Sequence, residues 1–443
     1  MLGRYKNYKE INLPWLKSIP SHWNIKRAKS IFIPINERSE KGNEELLSVS
    51  SKYGVIKRNN ANVTMFMAES YENYKLCWEN DLVINSLWAW QTGLGFSPYH
   101  GIISTAYSVF RQKESESNCK YLHYLLRGTD YQWELQVRSK GIWRSRYQLS
   151  DNTFLDSPII LPPISEQNQI VCYLDWKVSL INKYIFDKEK QIELLKEQKQ
   201  ALINQAITKG LDSNIPLKDS GIDWLGKIPK HWEVRKLKHF AFVNPSIHNY
   251  NFKDKDQVVF LPMENINKDG TIDNSIRKRV SEVKTGFSSF AKNDVIIAKI
   301  TPCFENGKGA YLNELESEVG FGTTELINLR VKNTITPEYL YWITMTSQFR
   351  ILGERNMTGT AGQKRITSNF VSSFAIAIPN VEEQNDIVMF IKEKVYVLNS
   401  YIDHSNKEIT LLQKFQTRLI SDVVTGKVNV QGVEVGEYLV KVK

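Results

Sequence analysis

A heptad run that occurs twice constrains this 443-residue chain more than any other feature. The segment PPISEQNQIV at Pro162–Val171 returns as PNVEEQNDIV at Pro379–Val388 with six of ten residues identical, and the alignment continues without a gap. After each segment, mostly apolar residues follow at alternating spacings of four and three, which is the pattern of a coiled-coil seam. The seam positions are Leu174, Val178, Ile181, Ile185, Lys188, Ile192, Leu195, Lys199, Leu202 and Ala206 in the first run, and Ile391, Val395, Leu398, Ile402, Ser405, Ile409, Leu412, Gln416, Leu419 and Val423 in the second.

Each run has the boundary residues of a single long helix. A proline precedes it, and Gly210 or Gly426 follows it, as is typical of helix starts and ends. Each helix would be roughly 60 Å long at 1.5 Å per residue. A narrow apolar stripe of that length needs a partner, and the nearest similar stripe is the other copy. The sequence therefore predicts two long helices packed against each other.

A second motif, Ile-Pro-x-His-Trp followed by a basic pair, is also repeated and lies well before each run. We interpret its histidines and tryptophans as packing residues at the start of a domain rather than as nucleic-acid contacts. These residues are His22, Trp23, His231 and Trp232. Between motif and helix, each half reads as a mixed α/β globule, with an Asn-Asp turn before a buried strand and a glycine-bearing basic loop before the long helix. The interiors of the two halves resemble each other only in outline.

The composition is that of a protein with two to three domains. The net charge of +10, from 58 basic and 48 acidic residues, favours an anionic partner such as nucleic acid. No apolar run is long enough to span a membrane, and the start MLGRYKNYKE does not resemble a signal peptide. The four scattered cysteines indicate neither a disulfide framework nor a zinc site, so we expect a cytoplasmic protein.

Catalytic motifs are missing from the sequence. It contains no phosphate-binding GxxxxGK[ST], no GxGxxG opening a βαβ unit and no metal-binding histidine spacing. We therefore expect a chain that catalyses nothing by itself and holds no metal. What remains is recognition, because loops rich in Arg, Lys, Asn, Gln and aromatic residues can contact base edges. The candidate DNA-binding residues are Arg58, Asn60, Gln91, Trp143, Arg144 and Arg146 in the first half and Lys299, Asn306, Lys308, Gln363, Lys364 and Arg365 in the second. Trp88 and Trp90 are expected to pack in the core instead.

Taken in order, these motifs resemble the specificity subunit of type I restriction–modification systems. The resemblance rests on the Ile-Pro-x-His-Trp motifs, the boxes LPPISEQ (Leu161–Gln167) and IPNVEEQ (Ile378–Gln384), and the heptad helices ending near Thr208 and Thr425. It covers nearly the whole chain. In addition, Leu87–Tyr107 and Gly322–Leu326 each resemble a known type of target recognition domain.

The resemblance implies a mixed α/β fold with two target recognition domains. Two long antiparallel coiled-coil helices, related by pseudo-twofold symmetry, would join them. Each domain would read one half of a split double-stranded DNA site, while the helices set the gap and dock two modification (adenine methyltransferase) subunits. Restriction (translocase–nuclease) subunits would join outside. S-adenosylmethionine, ATP and Mg²⁺ would belong to those partners. The implied boundaries are 1–161 for an opening segment with the first recognition domain, 162–210 for the first spacer helix, 211–221 for a polar linker, 222–378 for the second recognition domain, 379–428 for the second spacer helix and 429–443 for a tail, in which we expect a small terminal strand.

Two other classes of protein stay open at this point. One is a coiled-coil scaffold that holds proteins without reading DNA. The other is a self-contained DNA methyltransferase, for which the missing cofactor motifs are unfavourable. Sequence-specific, salt-dependent binding of duplex DNA separates the first from a specificity subunit, and S-adenosylmethionine binding by the isolated chain identifies the second.

Overall fold

The computed structural model of the protein describes residues 3–60, 70–113, 117–143, 146–247, 249–360 and 362–435. Two predicted site positions, Arg144 and the side chain of Asn60, lie outside this description. The chain divides into two compact units. Unit 1 is Met1–Lys188 together with Asn406–Lys443, and unit 2 is Glu189–Ser405.

Unit 1 combines short antiparallel strands with helices. Its strands are β1 (Tyr8–Leu13), β2 (Leu16–Pro20), β3 (Asn24–Arg27), β4 (Phe32–Ile35), β5 (Leu47–Ser50), β6 (Gly54–Lys57), β7 (Lys75–Cys77), β8 (Leu82–Asn85), β9 (Leu94–Phe96), β10 (Gly101–Ile103), β11 (Tyr107–Gln112) and β12 (Pro158–Leu161). Its helices are α1 (Ala28–Ile31), α2 (Cys119–Arg127), α3 (Thr129–Arg138), α4 (Asp151–Leu155) and the first part of α5 (Ile164–Lys209). The central sheet has the order β4-β11-β8-β9, and β12 pairs with β3.

The strand predicted after the Asn-Asp turn is confirmed as β8, which lies inside the central sheet. Asn80 takes a positive φ of 66°, a conformation that asparagine tolerates better than most residues, and all four residues of β8 are buried. Asp81 is buried as well and is held by Arg111, with Nε and Nη2 at 2.9 and 3.0 Å from its two carboxylate oxygens. This bidentate pair provides hydrogen-bond donors for both carboxylate oxygens of Asp81, which is buried beside the core.

Unit 2 has the same plan with one larger addition. Its strands are β13 (Leu217–Asp219), β14 (Lys227–Pro229), β15 (Glu233–Lys236), β16 (Ala241–Val243), β17 (Gln257–Leu261), β18 (Arg277–Arg279), β19 (Ser288–Ala291), β20 (Val295–Ala298), β21 (Gly309–Tyr311), β22 (Val319–Gly322), β23 (Leu326–Val331) and β24 (Ala375–Ile378). Its helices are α6 (Val280–Val283), α7 (Pro337–Thr344), α8 (Ser347–Arg355), α9 (Ser368–Ser373) and the first part of α10 (Val381–Val424). The sheet β16-β23-β20-β21 corresponds to the central sheet of unit 1, and β18-β17-β22-β19 is a second four-stranded sheet.

The equivalence of the two central sheets extends to side chains. Asn293 has a φ of 71° before the buried strand β20. Asp294 pairs with Arg330 at 2.8 and 2.7 Å, as Asp81 does with Arg111. The mixed α/β plan predicted for each half is therefore confirmed.

The two long helices are confirmed with nearly the predicted limits. The first, α5, has 46 residues and is followed by Gly210 at φ 72°, and α10 has 44 residues and is followed closely by Gly426 at φ 75°. Every predicted seam position is buried or partly buried. The seams therefore face the protein, as the heptad spacing predicts.

Polar contacts fix how the helices pair inside each unit. In unit 1, Lys188 Nζ lies 2.7 Å from Glu408 Oε2, and Gln416 Nε2 donates to Asn182 Oδ1 at 3.0 Å. The numbering rises on α5 while it falls on α10, so the two helix segments run antiparallel in this unit. In unit 2, Lys199 Nζ donates to Asn399 Oδ1 at 2.9 Å.

The repeated His-Trp motif anchors the first turn of each long helix. In unit 1, Glu166 accepts hydrogen bonds from Tyr5 Oη and from Trp23 Nε1 at 3.1 Å, and lies 2.7 Å from His22 Nε2. In unit 2, Glu383 lies 2.7 Å from His231 Nε2 and accepts from Trp232 Nε1 at 3.0 Å. Both tryptophans are fully buried. The packing role predicted for these motifs is confirmed for the two tryptophans, whereas His22 and His231 are about half exposed and contact the glutamate instead.

Two expectations about the connecting segments are wrong in part. The predicted linker 211–221 contains β13, which pairs with β14, because Pro216 O and the strand residues find antiparallel partners beside the His-Trp motif. The tail does not form the expected strand in its described part, since Asn429 makes only an isolated bridge with Gly3. Residues 436–443 lie outside the described residues.

Candidate nucleic-acid interface

Two loops of unit 1 lie side by side. We call residues 86–93, between β8 and β9, the strand loop of unit 1, and residues 140–148, between α3 and α4, its helix loop. The helix loop is closed by two backbone hydrogen bonds of 3.0 Å between Lys140 and Gln148. Directly after it, the Leu149 N–H donates to Ser86 O at 3.0 Å. This bond ties the helix loop to the start of the strand loop.

The same pair of loops occurs in unit 2. Its strand loop is residues 299–308, between β20 and β21, and its helix loop is residues 358–365, between α8 and α9. The Ile366 N–H donates to Lys299 O at 2.9 Å, and the Thr301 N–H donates to Lys364 O at 2.9 Å. The bond from Ile366 to Lys299 is the counterpart of the bond from Leu149 to Ser86. Both units therefore present equivalent loop pairs, although their loop sequences differ.

The predicted DNA-binding residues of unit 1 fall mainly on its loop pair. Gln91 lies on the strand loop, while Trp143 and Arg146 lie on the helix loop and are exposed. Arg58 follows β6 and is electrostatically coupled to Tyr107, where it opposes the rise in the phenol pKa that burial causes. Arg58 is partly buried and lies outside the loop pair.

One expectation about the strand loop of unit 1 is wrong. Trp88 was expected in the core, but its side chain is 51% exposed. Its ring lies 6.2 Å from that of Trp90 with an angle of 13° between the planes, and Trp90 Nε1 donates to Leu87 O at 3.0 Å. The turn at Ala89–Gln91 buries Ala89 and turns Trp88 outward. A single apolar residue in this turn is thus enough to anchor it.

All six predicted residues of unit 2 lie on its loop pair. Asn306, Gln363 and Lys364 are exposed, whereas the other three are partly buried. Lys308 Nζ donates to Met263 O at 2.8 Å. Lys299 contributes its backbone to the bonds that join the two loops. The structure therefore brings together residues that are separated by more than fifty positions in the sequence.

Arg365 is bound within the protein. Its Nε and Nη2 donate to the two carboxylate oxygens of Glu325 at 2.9 Å each, and its Nη1 donates to Gln363 O at 3.1 Å. These bonds hold the pKa of Glu325 below its usual value. With its donors engaged this way, Arg365 orders the helix loop and offers less to a base edge than the exposed Gln363 and Lys364 beside it.

Two partly buried arginines that sequence reasoning missed support the strand loops. Arg127, at the end of α2, donates through Nη1 to Thr92 O at 3.1 Å and Leu94 O at 2.5 Å, and through Nη2 to Ser51 O at 2.8 Å. Burial lowers its pKa to about 10, so it stays charged at neutral pH. In the sequence, the one signal for Arg127 is its position in the last turn of a predicted helix. Arginine is common at such positions, so this signal does not single it out.

The second of these arginines, Arg350 on α8, is partly buried and lies against the strand loop of unit 2. A Cβ built on Gly307 would lie 2.2 Å from the Arg350 guanidinium carbon, and Gly307 has a φ of 69°. Glycine is favoured at this position because the backbone is left-handed, and any side chain here would also require the Arg350 guanidinium to move. Burial lowers the pKa of Arg350.

The described residues contain no group of three or more histidine, cysteine or acidic side chains placed to hold a metal ion. Within the same residues, no helix has both the length and the apolar character needed to cross a membrane.

These features define a class of protein. It has two like α/β units associated with long helices, and each unit carries a loop pair whose basic, amide and aromatic side chains suit nucleic acid. Residues 229–411 match the family model described as "Type I restriction modification DNA specificity domain". Over these residues the chain is similar to type I restriction–modification specificity subunits.

Individual curated proteins show the same similarity. The chain is 33% identical over 198 residues to the type I restriction enzyme EcoEI specificity subunit of Escherichia coli, and 38% identical over 166 residues to the EcoAI specificity subunit of the same species. These alignments cover 44% and 37% of this chain, but only 33% and 28% of the two relatives. The MjaVIII specificity subunit of Methanocaldococcus jannaschii is 25% identical, with 80% of each chain covered.

Solved structures show the same fold. A chain from a structure of a type I R-M system, described in terms of complex assembly and conformational transition, matches with a TM-score of 0.69 at 16% identity and covers 92% of this chain and 99% of that one. The HsdS subunit from Thermoanaerobacter tengcongensis matches with a TM-score of 0.51 at 16% identity, covering 92% of this chain and 98% of that subunit.

Proposed function

We propose that this chain is the non-catalytic, sequence-specific DNA-binding subunit of a type I restriction–modification complex. Each unit reads one half of a bipartite duplex target through its loop pair. One observation carries this proposal: the same two loops, joined by the same backbone bond, recur in both units with different exposed side chains. A scaffold that only holds proteins needs no such variation on an identical framework.

The proposal extends to the partners of the chain. The long helices dock two modification (methyltransferase) subunits and set the gap between the half-sites, and restriction subunits join the complex. In support, α5 and α10 form an apolar groove of about 1030 Å³ in unit 1, with Leu180, Tyr184 and Phe415 exposed along it. Exposed apolar surface of this kind is typical of protein interfaces. The modification and restriction subunits carry S-adenosylmethionine, ATP and Mg²⁺, and the complex works in the cytoplasm.

A domain exchange tests the division of labour. Residues 24–157 enclose β3 to α4, including the complete loop pair of unit 1. If they are replaced by the corresponding segment of another specificity subunit, only one half of the methylated sequence should change. Methylated adenines mapped in host DNA, with and without the exchange, provide the measurement. A change in both half-sites contradicts independent reading by the two units.

The same complex separates the alternative classes. Reconstituted with its modification subunits, it should retain the mapped target in preference to a scrambled duplex, with an affinity that falls steeply as salt rises. Equal affinity for both duplexes indicates a scaffold. Binding of S-adenosylmethionine by the isolated chain indicates a self-contained methyltransferase instead.

A further inference from the structure

The helix loop of unit 1 ends in an exposed apolar tip. Ile142 is 93% exposed and Trp143 is 70% exposed, and the adjoining strand loop exposes Leu87 and Trp88 by about half. Leaving such side chains in water is unfavourable. A group of exposed apolar side chains on two adjoining loops is typical of a surface that a partner covers.

Hydrogen bonds and ring contacts hold the base of this tip. The Arg146 N–H donates to Trp143 O at 2.8 Å, which turns the loop back on itself. A Cβ on Gly141 would lie 2.4 Å from Arg146 O, so the turn is too tight for a side chain there. Below the tip, the ring of Tyr147 meets Trp90 edge-on at 5.9 Å. The tip is therefore presented on an ordered base, which reduces the entropy lost on binding.

Unit 2 provides an internal comparison. Its helix loop occupies the equivalent place, but the exposed residues there are polar, among them Gln363 and Lys364. Among the described residues of its two loops, none is an exposed large hydrophobic side chain. The framework of the fold does not require an apolar tip, so Ile142 and Trp143 serve what unit 1 binds.

The charges around the tip decide what its partner is. Lys140 and Arg146 flank it on the same loop and are exposed. A basic rim around aromatic and aliphatic side chains complements a phosphate backbone that encloses stacked bases.

We propose that Ile142 and Trp143 form a wedge that unstacks one base step in the half-site read by unit 1. This inference rests on the proposed function, because it assigns a mode of reading to the same site. Apolar side chains inserted between base pairs unstack and kink the duplex, and an indole ring replaces part of the lost stacking. Pyrimidine–purine steps unstack most easily. Unit 1 therefore selects a deformable step by shape, whereas unit 2 reads its half-site with polar side chains.

The test uses the reconstituted complex and its mapped target, with the adenine analogue 2-aminopurine placed at one position at a time. Its fluorescence rises when the base loses its neighbours. The methylated adenines are left unsubstituted, because methyltransferases flip their target base. With the wild-type complex, we expect a several-fold rise at adjacent positions in one half-site only. The double variant Ile142→Ala/Trp143→Ala should lose this rise and bind the target at least about fivefold more weakly, the loss of one base–aromatic stack.

Matched variants separate this role from general effects. Trp143→Phe keeps an aromatic ring and should keep the fluorescence rise. Lys364→Ala, on the equivalent loop of unit 2, should weaken binding while leaving the rise intact. Because Ile142 and Trp143 are exposed, the double variant should melt at the same temperature as the wild type.

Each contrary result has a distinct meaning. Target-specific binding without a fluorescence rise, or a rise that survives in the double variant, overturns the wedge and leaves the proposed function standing. A double variant that no longer assembles with modification subunits shows that the tip is a protein-docking surface, which also overturns the wedge. If the wild-type complex does not prefer its target over a scrambled duplex, both the wedge and the proposed function are wrong.

Discussion

At the scale of single residues, Glu166 and Glu383 are equivalent but differently enclosed. Both accept a bond from a buried indole and lie beside a histidine, at the first turn of a long helix. Glu166 also accepts from Tyr5, and its side chain is 7% exposed compared with 24% for Glu383. A buried donor that loses its acceptor costs about 1–3 kcal/mol. The two sites therefore form a matched pair for mutagenesis.

We predict that Glu166→Ala destabilises the protein more than Glu383→Ala does. The first change leaves two buried donors, Trp23 and Tyr5, without an acceptor and should lower the free energy of unfolding by roughly 3 kcal/mol. The second change leaves one buried donor, Trp232, without an acceptor and should lower the free energy of unfolding by about 1–2 kcal/mol. Urea unfolding followed by tryptophan fluorescence measures both. Glu166→Gln keeps an acceptor and should lie between Glu166→Ala and the wild type, and equal losses at the two sites contradict the argument.

His123 makes a second residue-scale prediction, on the pH dependence of stability. Burial lowers its pKa from 6.5 to about 4, and its Nδ1 accepts from the Phe96 N–H at 3.3 Å. The unfolded chain therefore binds a proton more readily than the folded one between these values, so stability is complete above pH 6.5 and falls as the pH drops towards 4. At pH 5 the loss should be about 2 kcal/mol. The free energy of unfolding, measured in urea at pH 5 and pH 7.5, should differ less between the two pH values in His123→Gln than in the wild type. An unchanged difference would show that His123 does not cause the loss of stability.

At the scale of elements, the long helices could be predicted from sequence, whereas the loop pairs could not. The apolar seam repeats every seven residues. The periodicity around Leu174 and Ile391 can therefore be recognised in the amino-acid sequence alone. The loop pairs depend on bonds such as Leu149 to Ser86 and Ile366 to Lys299, which join residues far apart and involve only backbone atoms. Backbone hydrogen bonds of this kind do not depend on the side chains, so the amino acids at these positions do not predict them. The candidate residues were found by composition, but their assembly into two equivalent sites needed the structure.

The exposure of Trp88 illustrates the same limit. Its sequence context, LWAWQ, is strongly apolar and predicts burial. The chain turns at Ala89–Gln91, so only Ala89 enters the core, while Trp88 lies on the surface beside the helix loop. The apolar sequence around Trp88 therefore predicts the core, whereas the side chain lies on the surface.

The polar positions of the seam give an element-scale prediction. Lys188 and Glu408 pair at 2.7 Å between antiparallel segments of α5 and α10 in unit 1, and both are partly exposed. Lys188→Glu places a second carboxylate opposite Glu408 and should lower the melting temperature by a few degrees, because like charges repel between closely packed helices. The double variant Lys188→Glu/Glu408→Lys restores opposite charges and should recover most of the loss. Scanning calorimetry at low and high salt is the measurement. No recovery in the double variant would show that the pair does not set the register.

At the scale of the whole molecule, the boundary between the compact units falls inside both long helices, after Lys188 and after Ser405. The polar contacts that fix helix pairing lie within the units, Lys188 with Glu408 in unit 1 and Lys199 with Asn399 in unit 2. An insertion at the two boundaries therefore leaves each unit's internal contacts intact. A seven-residue insertion also keeps the seam in phase.

This boundary allows a direct test of the proposal that the helices set the gap between half-sites. One heptad inserted after Lys188 and another after Ser405 add about 10 Å of helix at 1.5 Å per residue. At 3.4 Å per base pair along the duplex, the gap in the methylated sequence should lengthen by about three base pairs while both half-sites stay the same. Mapping methylated adenines in cells that carry the variant measures the gap. Insertion of four residues in each helix is the control, because it breaks the heptad phase and should abolish methylation. Methylation with the original gap would contradict a ruler role for the helices, even if DNA reading by the two loop pairs were upheld.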